Sequence, residues 1–408
     1  MVEKSNKVNS GSWEIQHQCP QCGAPVTIEE TDRLFLCPFC RVKLYLSTPD
    51  YLRYYLSPPD KAVKELIYIP YWRFKGIAFF YEALQIKETL IDATISATRC
   101  KYFPATLGLR PQALQLKFAA PGMEGSFLGH DIPIEEAFIS PTPDKTFIGE
   151  TISLIYSPVF IKNETVHDAF TEKPLAMLSE RELNTFRSLL EKADWQTRYL
   201  ATLCPDCGWN LEGERDSCVL FCKNCNSAWQ SSGHGFEKLD FAAANDRKEN
   251  MFYLPFWKIQ VQIEGLELKS YADLIKLANL PKAIKDEWHD AGLCFWVPAF
   301  KVRPELFLRI GRSVTIAESH GSMEENLPKG FLHPVTLPVT EAGECLKLII
   351  ADTAINKKKV FPMLKTINVH IGEYLLVFLP FSLERDELYS PLLHLTINNN
   401  ALKFGRNL

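Results

Sequence analysis

CPQCGAPVTIEETDRLFLCPFC, Cys19 to Cys40, and CPDCGWNLEGERDSCVLFCKNC, Cys204 to Cys225, carry the same grid: Cys-x2-Cys, fourteen residues, Cys-x2-Cys. Two such turns place four thiolates around one ion. Backbone N–H groups within each turn can point at the sulfurs, and a glycine after the second cysteine relieves the bend. Gly23 and Gly208 stand at that place; Arg41 and Asn226 follow the second turns instead. The fourteen-residue spacer fits a β-hairpin. The spacing predicts two zinc ribbons, one Zn2+ each, ligated by Cys19, Cys22, Cys37 and Cys40 and by Cys204, Cys207, Cys222 and Cys225. Iron is the minor alternative, because a four-thiolate tetrahedron also suits it. A closed four-thiolate site has no open coordination position, so its expected role is structural: it replaces a core in a segment too short to have one.

The four positions map between ribbons with an offset of 185, and the offset persists downstream. YIPYWRFKG holds Tyr68, Pro70 and Trp72; YLPFWKIQV holds Tyr253, Pro255 and Trp257. With small gaps, Pro104, Arg110 and Pro111 echo Pro298, Arg303 and Pro304. Pro133–Ala137 echoes Pro338–Ala342, and IGETISLIYSPVFI from Ile148 echoes IGEYLLVFLPFSL from Ile371. The chain therefore reads as an internal duplication. The expected fold is mainly β with a few helices (α+β), each ribbon leading into a β-rich module: ribbon 13–48, module 49–177, linker helix 178–200, ribbon 201–235, module 236–408. Ser179 and Glu182 are spaced as a capping box, and Leu183, Phe186, Leu189, Leu190 and Ala193 follow helical spacing. A second short helix is expected over SYADLIKLANLP, from Ser270 to Pro281. Alternating or β-branched runs punctuated by proline account for the rest.

Of 408 residues, 46% are hydrophobic and 23% charged, enough to build a core and to argue against wholesale disorder. The net charge of −4 argues against a dedicated nucleic-acid binder. Each ribbon grid is itself −2: Glu29, Glu30 and Asp32 stand against Arg33, and Asp206, Glu212, Glu214 and Asp216 against Arg215 and Lys223. Acidic ribbons repel phosphate, so a protein partner is expected ahead of a nucleic acid. The polar start lacks the apolar region of a secretory signal, and no apolar run approaches the ~18 residues of a membrane helix. A cytoplasmic protein with metal-bound rather than disulfide-bonded cysteines is expected.

The repeated aromatic–cation strands admit two readings. Trp72 with Arg73, and Trp257 with Lys258, would make a stacking platform for a partner; packed into the modules they would be core. Arg110 and Arg303 would anchor an acidic partner or pair internally with Glu136 and Glu341. Cys218 reads as a hairpin residue or a spare ligand, and Cys100, Cys294 and Cys345 as isolated apolar residues. The histidines at 17, 130, 167, 234, 289, 320, 333, 370 and 394 form no zinc-protease motif, and Lys357–Lys359 reads as a solvated loop. Phosphate-loop, dinucleotide-binding and nucleophile-elbow motifs are absent, which leaves no catalytic residue to name.

A Cys-x2-Cys pair set followed by a Tyr-x-Pro-aromatic-Trp strand resembles a loose group of uncharacterised bacterial zinc-ribbon proteins. The resemblance implies the ribbon fold and brings no activity with it. Helicase-type labels given to such proteins do not suit a chain without a phosphate-binding loop. The expected function is a non-enzymatic scaffold or adaptor binding a protein partner. The alternatives are a nucleic-acid-associated factor and a redox or metal-handling protein.

Overall fold

Glu14–Gln18 (β1) and Pro25–Glu29 (β2) flank the first cysteine turn and pair antiparallel, Gln16 opposite Thr27. Leu34–Leu36 (β3) and Lys43–Ser47 (β4) flank the second, Leu34 opposite Tyr45. The structure, a computed structural model, describes residues 13–48, 50–58, 65–137, 145–193, 195, 197–232, 235–244, 251–317 and 320–405; His234 lies outside them. The first ribbon is divided between two sheets, since β2 pairs only with β1 and β3 only with β4.

β1 and β2 form one edge of a sheet of eleven strands. The others are Leu52–Leu56 (β5), Ile67–Glu82 (β6), Gln85–Ser96 (β7), Leu116–Phe118 (β8), Ser126–Leu128 (β9), Lys145–Lys162 (β10), Thr165–Asp168 (β11), Pro174–Met177 (β12) and Leu190–Glu191 (β13). The main path runs β13-β9-β6-β10-β5-β8-β1-β2, with β7 on β6 and β11–β12 on β10. Arg198–Ala201 (β14) returns to the first ribbon and pairs with β4, Leu200 opposite Tyr45. The second ribbon has its own sheet of Val219–Cys222 (β15), Ser227–Ser231 (β16) and Phe236–Leu239 (β17). Phe241–Ala244 (β18), Phe252–Glu264 (β19), Cys294–Pro298 (β20), Met323–Glu324 (β21), Phe331–Leu332 (β22) and Asn368–Glu384 (β23) then build a second large sheet, in the order β20-β19-β23-β18-β21 with β22 on β19.

The two large sheets share pairings. β10 runs antiparallel to β6 and parallel to β5; β23 runs antiparallel to β19 and parallel to β18. Pro158 faces Tyr68 and Leu154 faces Trp72; Pro380 faces Tyr253 and Leu376 faces Trp257. Both ladders slip register soon after the tryptophan, between Ile148 and Thr151 in one and Ile259 and Val261 in the other. Pro70 and Pro255 sit inside β6 and β19 rather than at strand starts. Each occupies the gap where one flanking strand has ended, at Tyr68 or Tyr253, and the next begins, at Tyr71 or Phe256. No ladder bond on that side needs the missing N–H.

The helices depart from expectation in two places. Glu180–Ser188 has the expected capping box, but it ends short of the range 178–200, because Leu190 and Glu191 are drawn into pairing with β9 and residues 198–201 into pairing with β4. The fold is mainly β with several helices, and the second module carries most of them. Tyr271–Leu277 forms as expected on Ser270, and Pro304–Thr315, Val339–Glu344, Leu346–Thr353 and Lys357–Met363 are added. The three lysines at 357–359 are thus the first turn of a helix capped by the Asn356 side chain, not a loop. Pro304 occupies the first turn of its helix, where its missing donor costs nothing. Ile77, Phe79 and Ile148 of the first module enter the hydrophobic core of the second, so the two sheets share buried surface.

Candidate metal centres

In each ribbon all four sulfurs lie within 4.8 Å of one another. A tetrahedron with metal–sulfur bonds of ~2.3 Å has edges of about 3.8 Å. Cys19–Cys40 and Cys22–Cys37 are 3.7 Å apart, and Cys204–Cys225 and Cys207–Cys222 are 3.5 Å apart. The donor sets therefore fit a four-coordinate ion at both places. One cysteine of each turn is buried (Cys19, Cys37, Cys204, Cys222), while Cys22, Cys40 and Cys207 are exposed and Cys225 is half-buried. Cys218, a candidate fifth ligand, is outside the set and donates to the Val335 carbonyl at 3.2 Å. Burial pushes its thiol up to about 12, which makes it inert.

The turns are closed by bonds from Gly23 N–H to Cys19 O, Arg41 N–H to Cys37 O and Gly208 N–H to Cys204 O, at 2.8, 2.9 and 2.8 Å. Gly23 and Gly208 adopt φ of 71° and 72°, as a glycine there should. Arg41 and Asn226 take the same left-handed region, at 60° and 58°. Asn226 suits it, and its side chain also bonds Glu325 O and Leu327 N–H. Among the described residues nothing bonds the Arg41 side chain, and the conformation costs about 1–2 kcal/mol.

The thiols cannot all ionise together without a cation. Burial opposes ionisation of Cys37, but the backbone N–H groups of Cys40 and Phe39 and neighbouring thiols overcome it, bringing the group down to about 6. The Val42 N–H favours a Cys40 thiolate, but burial and three adjacent sulfurs outweigh it and push Cys40 up to about 12. A bound dication removes that conflict. The second centre has a support the first lacks. Ser227 Oγ lies 3.1 Å from Cys225 Sγ and 3.8 Å from Cys204 Sγ, and it accepts the Trp229 indole N–H at 2.8 Å. The position 185 residues earlier is Val42.

The expected partner-binding residues lie elsewhere. Trp72 and Trp257 are buried, and their indoles donate to the Ile132 and Leu337 carbonyls at 2.7 and 2.8 Å. Arg73 is fully buried, and Lys258 is half-buried with its ammonium 5.9 Å from the Trp296 ring. The platform reading is therefore overturned: large apolar rings on the inner face of a sheet are worth more in a core than in water. Arg110 pairs with Asp168, not Glu136, which is held by both Arg99 guanidinium nitrogens at 2.7 Å. Arg303 is exposed at the N-terminus of its helix. Cys345 is buried and donates to Glu341 O; Cys100 and Cys294 are half-buried, and burial raises both thiols.

Sequence reasoning missed how the first ribbon is tied down. Arg73 meets Glu30 through Nη2–Oε1 at 3.0 Å and Nε–Oε2 at 3.3 Å, and Asp92 at 2.7 Å, with its guanidinium carbon 3.7 Å from the Trp13 ring. Asp32 pairs with Arg215 of the second ribbon, Lys43 Nζ donates to Leu211 O at 3.1 Å, and Thr202 Oγ1 donates to Lys43 O at 3.1 Å. Leu34 and Tyr45 share a buried cluster with Cys204, Leu220, Cys222 and Trp229. All three carboxylates counted against phosphate meet cations within the fold: Glu30 pairs with Arg73, and Asp32 and Glu29 share Arg215. The acidic balance of the first grid is no argument about its partner.

Comparison with protein-family models, curated proteins and solved structures gives no match. No described helix is long and apolar enough to cross a membrane.

Proposed function

We propose that the chain is a non-enzymatic adaptor of the cytoplasm: an internal duplication whose two ribbons each hold one zinc ion and together present a protein partner with a rigid surface. The observation that carries this reading is the way the ribbons are built into the rest. Both four-thiolate sets are closed, each turn buries one cysteine, and the ribbons pack on each other through Leu34, Tyr45, Leu220 and Trp229. Closed thiolate sites supply fold energy and no open position for substrate. Duplication is supported by the constant offset of 185 residues and by the shared cross-strand partners of Trp72 and Trp257. Kinship with the bacterial zinc-ribbon proteins that carry the Tyr-x-Pro-aromatic-Trp strand is part of the same proposal.

Affinity purification of tagged protein from its own cells, with and without nuclease, tests the function. A stoichiometric protein that survives nuclease is expected. A set of partners that disappears with nuclease would move the chain to the nucleic-acid reading. Metal analysis should return two zinc ions per chain, and a visible iron–thiolate absorption band would refute zinc.

A further inference from the structure

The second ribbon shows how such a ribbon closes. Between its turns the chain bends where Glu214 N–H donates to Ser217 Oγ at 2.9 Å, and Glu212 and Phe221 then exchange both backbone bonds, at 2.8 and 2.9 Å. In the first ribbon the bend is built alike, with Glu29 N–H donating to Asp32 Oδ2 at 2.9 Å, and the cysteines converge alike. The residues 185 positions before Glu212 and Phe221 are Thr27 and Leu36. They do not pair, since β2 bonds only to β1 and β3 only to β4. A cleft of about 1130 Å3 lies between them, and both line it.

The edges facing this cleft carry unsatisfied groups of known direction. The bonds Glu30 N–H to Trp13 O and Cys19 N–H to Ala24 O fix the phase of the β1–β2 ladder. By alternation the N–H and C=O of Thr27 point away from β1, into the cleft. Across it, Leu34 N–H points outward to Arg215 O, and two residues on Leu36 also points outward, with its side chain 62% exposed. An opening of this size at a seam between modules matches a ligand-binding cleft rather than a packing defect. Its charge is uneven. Of the lining cations, Arg215 is held by Asp32, and Lys43 donates to Leu211 O in the field of Glu212 and of Glu214, itself a lining residue, whereas Lys117 has no ion-pair partner among the described residues.

We propose that an extended segment of the protein partner occupies this cleft, pairing its backbone with Thr27 and Leu36 and setting a carboxylate beside Lys117. The segment supplies the bonds that Glu212 and Phe221 give each other in the second ribbon. Main-chain pairing at an open edge gives affinity, and Lys117 gives the preference for acid. This inference rests on the adaptor reading above.

The test is fluorescence anisotropy of the full zinc-loaded chain with labelled octapeptides. The first alternates valine and glutamate, the second valine and lysine, and the third is the acidic peptide N-methylated at alternate positions. Saturable binding of the acidic peptide is expected, with the other two each about tenfold weaker or worse. Thr27→Pro removes the outward N–H while leaving the β1 bonds untouched, as edge strands permit. It should weaken the acidic peptide about tenfold with far-UV circular dichroism and zinc content unchanged. Lys117→Glu, which reverses the charge of this half-buried lysine and spares the backbone, should weaken it as well. Equal binding to wild type and Thr27→Pro, equal binding of the N-methylated peptide, no binding of the acidic peptide, or its displacement by an eight-nucleotide oligouridylate would each overturn the proposal. Capture of one nuclease-resistant protein from cell extract equally by wild type and Thr27→Pro would sink this inference and leave the adaptor reading standing.

Discussion

Replacing Arg73 by methionine should unfold the junction of the first ribbon and its module. The guanidinium is 0% exposed and its partner Glu30 is 1% exposed, so neither charge reaches water when the other is removed. Breaking a buried pair from one side costs about 3–5 kcal/mol, because the survivor stays buried without its bonded partner, and the charge of nearby Lys75 offsets only part of that loss. Methionine keeps most of the volume, so the loss is electrostatic rather than a cavity. The pH dependence identifies the cause. Burial, partly offset by Arg73, already raises the Glu30 carboxyl above its ordinary value of 4.5. Without Arg73 it rises further. At pH below about 4.5 the carboxyl is protonated folded and unfolded, and the penalty is absent; it grows as pH climbs through the raised folded value and is complete above it. Urea unfolding of zinc-loaded wild type and Arg73→Met, followed by circular dichroism at pH 5 and pH 8, should show the larger loss at pH 8. A loss under about 1 kcal/mol at pH 8, or an equal loss at both pH values, would refute the account of a buried charge left alone. The double variant Arg73→Met/Glu30→Leu should recover most of the stability, since neither charge then remains.

Other outcomes are expected from the same structure. Ser227→Ala should weaken metal retention at the second centre about tenfold in competition with a chromophoric chelator and leave the first centre unchanged; equal retention would show that the serine does not support Cys225. Trp257→Phe should cost about 2–4 kcal/mol through the lost bond to Leu337 O and the space left behind, and a near-neutral result would place the indole outside the core. Arg41→Gly should stabilise the metal-bound chain by up to about 1 kcal/mol by relieving the left-handed backbone, whereas Gly23→Ala should destabilise it by a similar amount, both read from thermal melts.

The two four-cysteine clusters were legible because the spacing of the turns encodes them, but the hairpin expected between the turns was not formed in the first ribbon, where β2 pairs with β1 and β3 with β4 instead. The capping box at Ser179 was equally local. What escaped was whatever depends on distant partners. Glu30 and Asp32 entered the sequence reading as charges to be counted, and only the fold reveals that Arg73 and Arg215 neutralise them. Arg110 was matched with Glu136 because both recur in the second half, yet geometry gives it Asp168. The echo between halves also misled. Arg110–Ala113 is a single turn, while its counterpart at Pro304 continues to Thr315, because Phe307, Ile310, Gly311 and Val314 supply a buried helical face that the first half does not repeat. Ser227 left no signal in the spacing, since a hydroxyl that supports a thiolate can stand anywhere the chain passes.

The pairing of β14 with β4 has a consequence for synthesis. A chain leaving the ribosome exposes the candidate metal site of Cys19 to Cys40 early, but Leu44–Ser47 must wait for Arg198–Ala201 before its sheet is complete. The nascent first half therefore carries a candidate metal site before it carries a finished fold. Cutting the gene between the halves would strand a ribbon with a bare strand edge, and bringing the two pieces together later, not expressing either alone, is the route by which a split version could be restored.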